Sequence, residues 1–187
     1  MDVTLTYNAH VNEISSKVFS RLRSLWPNHH ILPWQTRLML VKSLILPLFT
    51  YCDTVYSTNL HAKSVQVLER VFAACARFVF AIGRRDSVDD VVNRILGCSI
   101  VEFLKYRSLI FVHKLVVKEA PKYLMSGIQP STRSNKLIIP RHTTSQYNKS
   151  FYVNAVSRYN LLPNSVKRSA SHNTFKRRCL EYIVSNH

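Results

Sequence analysis

Residues 8–26 read NAHVNEISSKVFSRLRSLW, with Val11, Ile14, Val18, Leu22 and Leu25 recurring at steps of three and four. That spacing gathers the apolar side chains on one face of a helix, and Lys17, Arg21 and Arg23 fall largely off it. Pro27 ends the run, because a proline ring removes an amide donor and clashes with the preceding turn. The same period returns downstream. Pro33 suits the first turn of a second helix, whose apolar face is Trp34, Leu38, Val41, Leu44, Ile45 and Leu48. Pro47 is expected to kink or end it. A third helix over 61–82 carries Val65, Leu68, Phe72, Cys75 and Val79, and the GRRD beginning at Gly83 reads as its stop.

Two capping boxes follow, Ser87-x-x-Asp90 and Ser99-x-x-Glu102, in which hydroxyl and carboxylate would satisfy orphan amides of a helix start. The second opens a long helix bearing Phe103, Leu104, Ile110, Phe111, Leu115 and Val116, which stops before Pro121; a short helical turn is expected at 122–126. Past Gly127 the chain becomes rich in Ser, Thr, Asn and Pro, with one β-prone run at Leu137, Ile138 and Ile139. It reads as an extended basic connector. Phe151, Val153, Val156 and Tyr159 then suggest a helix, and Phe175, Cys179, Tyr182 and Ile183 a last one. Only three glycines are present, too few for a turn-dense sheet protein or a glycine-rich phosphate loop. The expected fold is therefore mostly α, with a helical domain at 1–127, a connector at 128–150 and a short helical segment at 151–187.

Charge is distributed unevenly. The chain has 26 Lys and Arg against 10 Asp and Glu, a formal net charge of +16. Residues 1–93 hold 10 basic and 7 acidic side chains, whereas 94–187 hold 16 and 3, and beyond Ala120 the only acid is Glu181. Such asymmetry points to a polyanionic partner, nucleic acid first and an anionic membrane surface second. The plainer alternative is a basic surface without a partner. Residues 159–179, YNLLPNSVKRSASHNTFKRRC, sharpen the question. They read as the end of one packed helix, a proline-marked turn and a final helix with Phe175 and Cys179 inward and Lys176, Arg177 and Arg178 outward. A localisation signal is the alternative. Tyr147, Phe151, Tyr152 and Tyr159 lie among Arg141, Lys149 and Arg158. They could stack on unpaired bases, but Phe151 and Tyr159 read better as core anchors, with the basic residues left to meet phosphate.

Other chemistry is sparse. P-loop, HExxH, GxSxG and GxGxxG motifs are absent. Asp86, Asp89 and Asp90 could hold Mg²⁺, but a helix start gives them the simpler role of complementing its dipole. The turn YCDT at 51–54 falls one carboxylate short of an aromatic-x-Asp-Asp polymerase turn: Thr54 stands where a second Asp would be needed to clamp two metal ions. Its flanks read as helical. The four cysteines form no zinc-type spacing, and Cys75 reads as a core residue of a protein in a reducing compartment. The N-terminus lacks signal-peptide character, and the longest apolar stretch, 43–52, is broken by Pro47. A soluble intracellular protein of nucleus or cytoplasm is expected, with no catalytic residue, metal, cofactor, small-molecule substrate or membrane partner.

Several segments together resemble one family. LTYNAHVNEISSKVFSRLRSL, LPWQTRLMLVKSLILPLFTYCDTVY, RRDSVDDVVNRILGCSIVEFLKYRSLIFVHKLV, APKYL and KSFYVNAVSRYNLLPNSVKRSASHNTFKRR resemble, in order and spacing, the region after the palm of non-LTR (LINE-type) retrotransposon reverse transcriptases. The family tail commonly carries Trp-Asn-x-Leu-Pro and then Phe-Lys; here Tyr159-Asn160, Leu162-Pro163 and Phe175-Lys176 occupy those places. The resemblance implies a thumb built from the first helices, followed by a connector and a C-terminal region that help to hold nucleic acid. The catalytic aspartates of the palm have no counterpart here, so the chain alone is not expected to polymerise. The expected function is a non-catalytic, nucleic-acid-binding piece of such an enzyme. Lys17, Arg21, Arg37 and Lys42 would follow a duplex backbone, and Arg133, Lys136, Arg141, Lys149, Lys167, Arg168, Lys176, Arg177 and Arg178 would add phosphate contacts. The alternatives are a helical interaction scaffold, or a translated relic without selected function. A thumb face without its palm is further expected to self-associate.

Overall fold

The helical periods of the sequence become helices. Over the residues that the computed structural model describes (7–118, 122–125, 127–131 and 136–185) the chain is mostly α. It divides into two units, one formed by 1–53 with 60–103 and the other by 54–59 with 104–187. The break therefore lies near residue 103, not at the expected positions 127 and 150, because the connector is tied into the second unit by contacts described below.

In the first unit, α1 (Asn8–Leu25) buries Val11, Ile14, Val18 and Leu22, the face marked by its spacing. A turn of 3₁₀ helix at Trp26–Asn28 ends it. The next helix departs from expectation. α2 (Trp34–Leu40) passes into a π turn, Val41–Ile45, and then into α3 (Leu46–Thr50). Pro47 has no amide to donate, and the ladder widens just before it, with the Leu46 N–H reaching back to Val41 O. A wider turn changes which residues share a face. Arg37, Val41, Ile45 and Phe49, four apart, all point inward, whereas Trp34 and Leu44 stay 47% and 43% exposed. The expected apolar face is thus only partly the real one.

Tyr51 and Cys52 turn the chain into α4 (Asp53–Tyr56), so YCDT has helical flanks. α5 (Ala62–Phe80) packs along α1 and buries Leu68, Val71, Phe72, Cys75, Phe78 and Val79. Ser64 Oγ donates to Asn8 Oδ1 at 2.6 Å, pinning the two helix starts together. α5 stops at Ala81, which takes the left-handed conformation at φ 54°, two residues before the glycine expected to end it. Arg77 then binds the following loop, its Nε donating to Gly83 O and its Nη2 to Asp86 O. Ser87 does not form a capping box with Asp90. Its hydroxyl donates to Asp89 Oδ2 and accepts from Asp89 N–H, a tight local turn before α6 (Asp89–Val92). The second box is realised: Ser99 N–H donates to Glu102 Oε2 at 2.7 Å and Glu102 N–H to Ser99 Oγ at 3.2 Å, opening α7 (Ile100–Lys118).

From Leu104 onward α7 belongs to the second unit. There it is followed by α8 (Lys122–Met125), the two-residue strands β1 (Gln129–Pro130) and β2 (Leu137–Ile138), and α9 (Ser145–Asn148). α10 (Phe151–Leu161), α11 (Asn164–Lys167) and α12 (His172–Ser185) complete it. Val112, Leu115, Ile128, Val156, Phe175 and Cys179 form the centre of its core. At that centre His113 is only 3% exposed, lies flat on Phe175 with ring centroids 3.6 Å apart, and meets the Tyr159 hydroxyl at 3.0 Å. Burial first, and the nearby His172 second, hold its pKa down at about 4, so it sits neutral in the core. Gly127 is required by closeness: a Cβ there would lie 2.6 Å from the Tyr152 ring.

The connector is not a free strap. β1 and β2 pair antiparallel, Gln129 with Ile138 and Pro130 with Leu137, and Leu137 joins the core. The Asn160 side chain then clamps Leu137 from α10, accepting its N–H on Oδ1 and donating Nδ2 to its C=O, each at 2.8 Å. Asn160→Ala leaves both Leu137 backbone groups without partners. The expected loss is about 2 kcal/mol, read as a lower urea midpoint, with helical circular dichroism unchanged before the transition.

Candidate nucleic-acid interface

The two units carry very different charge. The first holds 11 Lys and Arg against 8 Asp and Glu, and the second 15 against 2, a balance of +13. The basic residues singled out from the sequence accordingly meet different fates.

In the first unit most are occupied. Lys17 pairs with Glu13 at 2.6 Å, one turn back on α1, and Arg21 Nη1 donates to Leu44 O. Arg37 corrects the expectation outright. It shares the inward register of Val41 and Ile45, is buried, and donates Nη1 to Phe78 O at 3.0 Å. Phe78 lies in the last turn of α5, where carbonyls have no intrahelical partner and the helix end favours a cation. Arg37 is thus a cap for α5 and not a phosphate contact. Lys42 is exposed.

The second unit presents its cations outward. Arg141, Lys136, Arg168, Arg177 and Arg178 are exposed, and Lys149, Lys167 and Lys176 half-exposed. Arg133 lies outside the described residues. On α12, Arg177 reaches Glu181 only at 3.9 Å, with both side chains in solvent, a pairing worth little. Arg178 donates Nη1 to Ser165 O at 3.0 Å, which fixes its direction without neutralising it. Lys167 is the most constrained: Nζ donates to Asn160 O at 2.9 Å and stands 5.7 Å from the centre of the Tyr159 ring. Burial first, and the positive charge of Lys136 second, lower its pKa. Lys136 adjoins the clamped Leu137, and its charge adds to the cost of protonating Lys167.

The aromatic residues follow the core reading. Tyr159 is 5% exposed, its phenol pushed up to about 12 by burial first and Cys179 second, and Phe151 packs on Phe111 at 5.6 Å. Tyr147 alone of the four is exposed. Arg158, expected among the basic residues that meet phosphate, is instead half-buried and donates Nη2 to Thr58 O at 3.3 Å; burial lowers its pKa. Nothing local marks a residue whose partner lies a hundred positions away. Among the described residues no helix is long and apolar enough to cross a membrane. No family model, curated protein or solved structure matches this chain.

Proposed function

We propose that the chain is a nucleic-acid-binding module without polymerase activity of its own, akin to the thumb and post-thumb region of non-LTR reverse transcriptases. The observation that carries this reading is the second unit's +13 balance, with Lys136, Arg141, Arg168, Arg177 and Arg178 exposed and almost no acid to offset them. Cations so placed neutralise phosphates and release the counterions condensed on them, a binding mode that needs no base recognition.

The reading is tested by the salt dependence of affinity. If about five phosphates are neutralised, log affinity falls against log salt with a slope of roughly −3.5 for a single strand or −4.5 for duplex DNA. Charge reversal at Lys176, Arg177 and Arg178 together is expected to flatten that slope by about 2 to 3, since each lost phosphate contact removes roughly one. Fluorescence anisotropy with labelled oligonucleotides measures both. A flat salt dependence, or no binding in ~50 mM salt, refutes the reading. Arg37→Ala is the control: it removes a cap within the fold and leaves the slope as it was.

A further inference from the structure

The first unit contains a groove that none of these phosphate contacts uses. It lies between the C-terminal half of α1 and the end of α5, has a volume of about 720 Å³, and is lined by Phe19, Leu22, Trp26, Ala74 and Ile82. Its polar rim is made of Arg23, Arg77 and Arg84, and no carboxylate lines it. Two of the lining residues are aromatic and strongly exposed, Phe19 at 40% and Trp26 at 44%. Trp26 is held in place by its neighbours. His29 stacks on it with centroids 4.9 Å apart and an interplanar angle of 23°, His29 Nδ1 lies 2.8 Å from Trp26 O, and Phe78 touches it at 6.0 Å. The three arginines are not equivalent. Arg77 is committed to Gly83 O and Asp86 O and so shapes the rim, whereas Arg23 and Arg84 make no hydrogen bond or ion pair among the described residues.

We infer that this groove takes an unpaired base of a single-stranded nucleic acid, stacked on Trp26, with Arg23 and Arg84 meeting the adjoining phosphates. The inference rests on the nucleic-acid reading and extends it from the backbone to the bases. A rigid exposed indole and an apolar floor offer a stacking platform that any base can use. Two uncommitted guanidinium groups at the rim supply the charge that the flanking phosphates require, in the fork geometry that suits them. The volume is in the range of sites that take small flat ligands, whereas a partner helix with its side chains is about 10–12 Å across.

The test uses the full chain carrying Trp34→Phe, which leaves Trp26 as the only tryptophan. It is titrated with a twelve-nucleotide single strand and with an abasic strand of the same length. The base-bearing strand is expected to quench Trp26 fluorescence saturably and to bind about ten-fold more tightly than the abasic strand, which does not quench. Trp26→Ala should bring its affinity down to the abasic level at an unchanged salt slope, while Trp26→Phe keeps most of the difference and shows that the fold tolerates the site. Equal affinity for both strands without quenching, at a steep salt slope, overturns the inference and leaves the nucleic-acid reading standing. Binding of neither strand overturns both. Quenching by an acidic amphipathic peptide, but not by the base-bearing strand, assigns the groove to a protein partner and overturns the inference as well.

Discussion

Phe175→Ala is expected to cost about 3–5 kcal/mol, enough to unfold much of the second unit at ambient temperature. The side chain is fully buried at the centre of that unit's core, flat against His113 and within reach of Tyr159. Truncation would remove its transfer energy and open a cavity beside a polar side chain. Relaxation could not close that space readily, because the neighbouring rings of His113 and Tyr159 are joined by their own hydrogen bond. Urea titration followed by tyrosine fluorescence and circular dichroism checks the value. A loss below ~1 kcal/mol would mean that the site collapses around the missing ring.

Acidification should destabilise the same unit through His113. Its folded pKa of about 4 lies below the ordinary value of 6.5, so the unfolded chain binds the proton first. Stability is therefore full above pH 6.5, declines as pH falls toward 4, and loses no more below that. The separation corresponds to at most about 3 kcal/mol. The groups around His113 are few: the neutral Tyr159 hydroxyl, His172 with ring centroids 6.2 Å away, and Lys167 beyond Tyr159. Carboxylates contribute little to the trend, since the whole second unit contains only Glu119 and Glu181. His113→Phe keeps a ring against Phe175 but has no proton to take up. Its urea midpoint should be nearly level between pH 6.5 and 4, where the parent's falls; a parent midpoint that stays level would show that His113 is accessible to protons when folded.

The helices carried by one uninterrupted period were legible from their residues. α1 and α5 bury most of the faces that their spacing marks, and the Ser99–Glu102 box forms, whereas Ser87, at the same spacing from Asp90, turns to Asp89. Arg37 was misread for a physical reason. It stands three residues after Trp34 and four before Val41, on the expected apolar face, but its charge reads as outward and its partner, Phe78 O, lies forty-one residues away on α5. Ala81 was missed as the end of α5 because a glycine two residues on seemed the better left-handed residue; the carbonyls of Gly83 and Asp86, held by Arg77, draw the chain around earlier. The polar composition of the connector marks it as an extended basic segment outside the core. What fixes it is the contact of Asn160 with Leu137, twenty-three residues apart, which neither segment displays by itself. The outward placement of Arg177 and Arg178 follows from the inward Phe175 and Cys179.

The Asn160 clamp has a consequence beyond the connector. A short two-stranded ribbon on a protein surface ordinarily leaves main-chain groups open along its outer side, and these can template the addition of a strand from another molecule. Here the amide of Asn160 occupies both groups of Leu137, while Pro130, opposite it on β1, has no N–H to offer. One side-chain amide thus stands in for a third strand. Those positions of the ribbon are thereby withheld from an added strand.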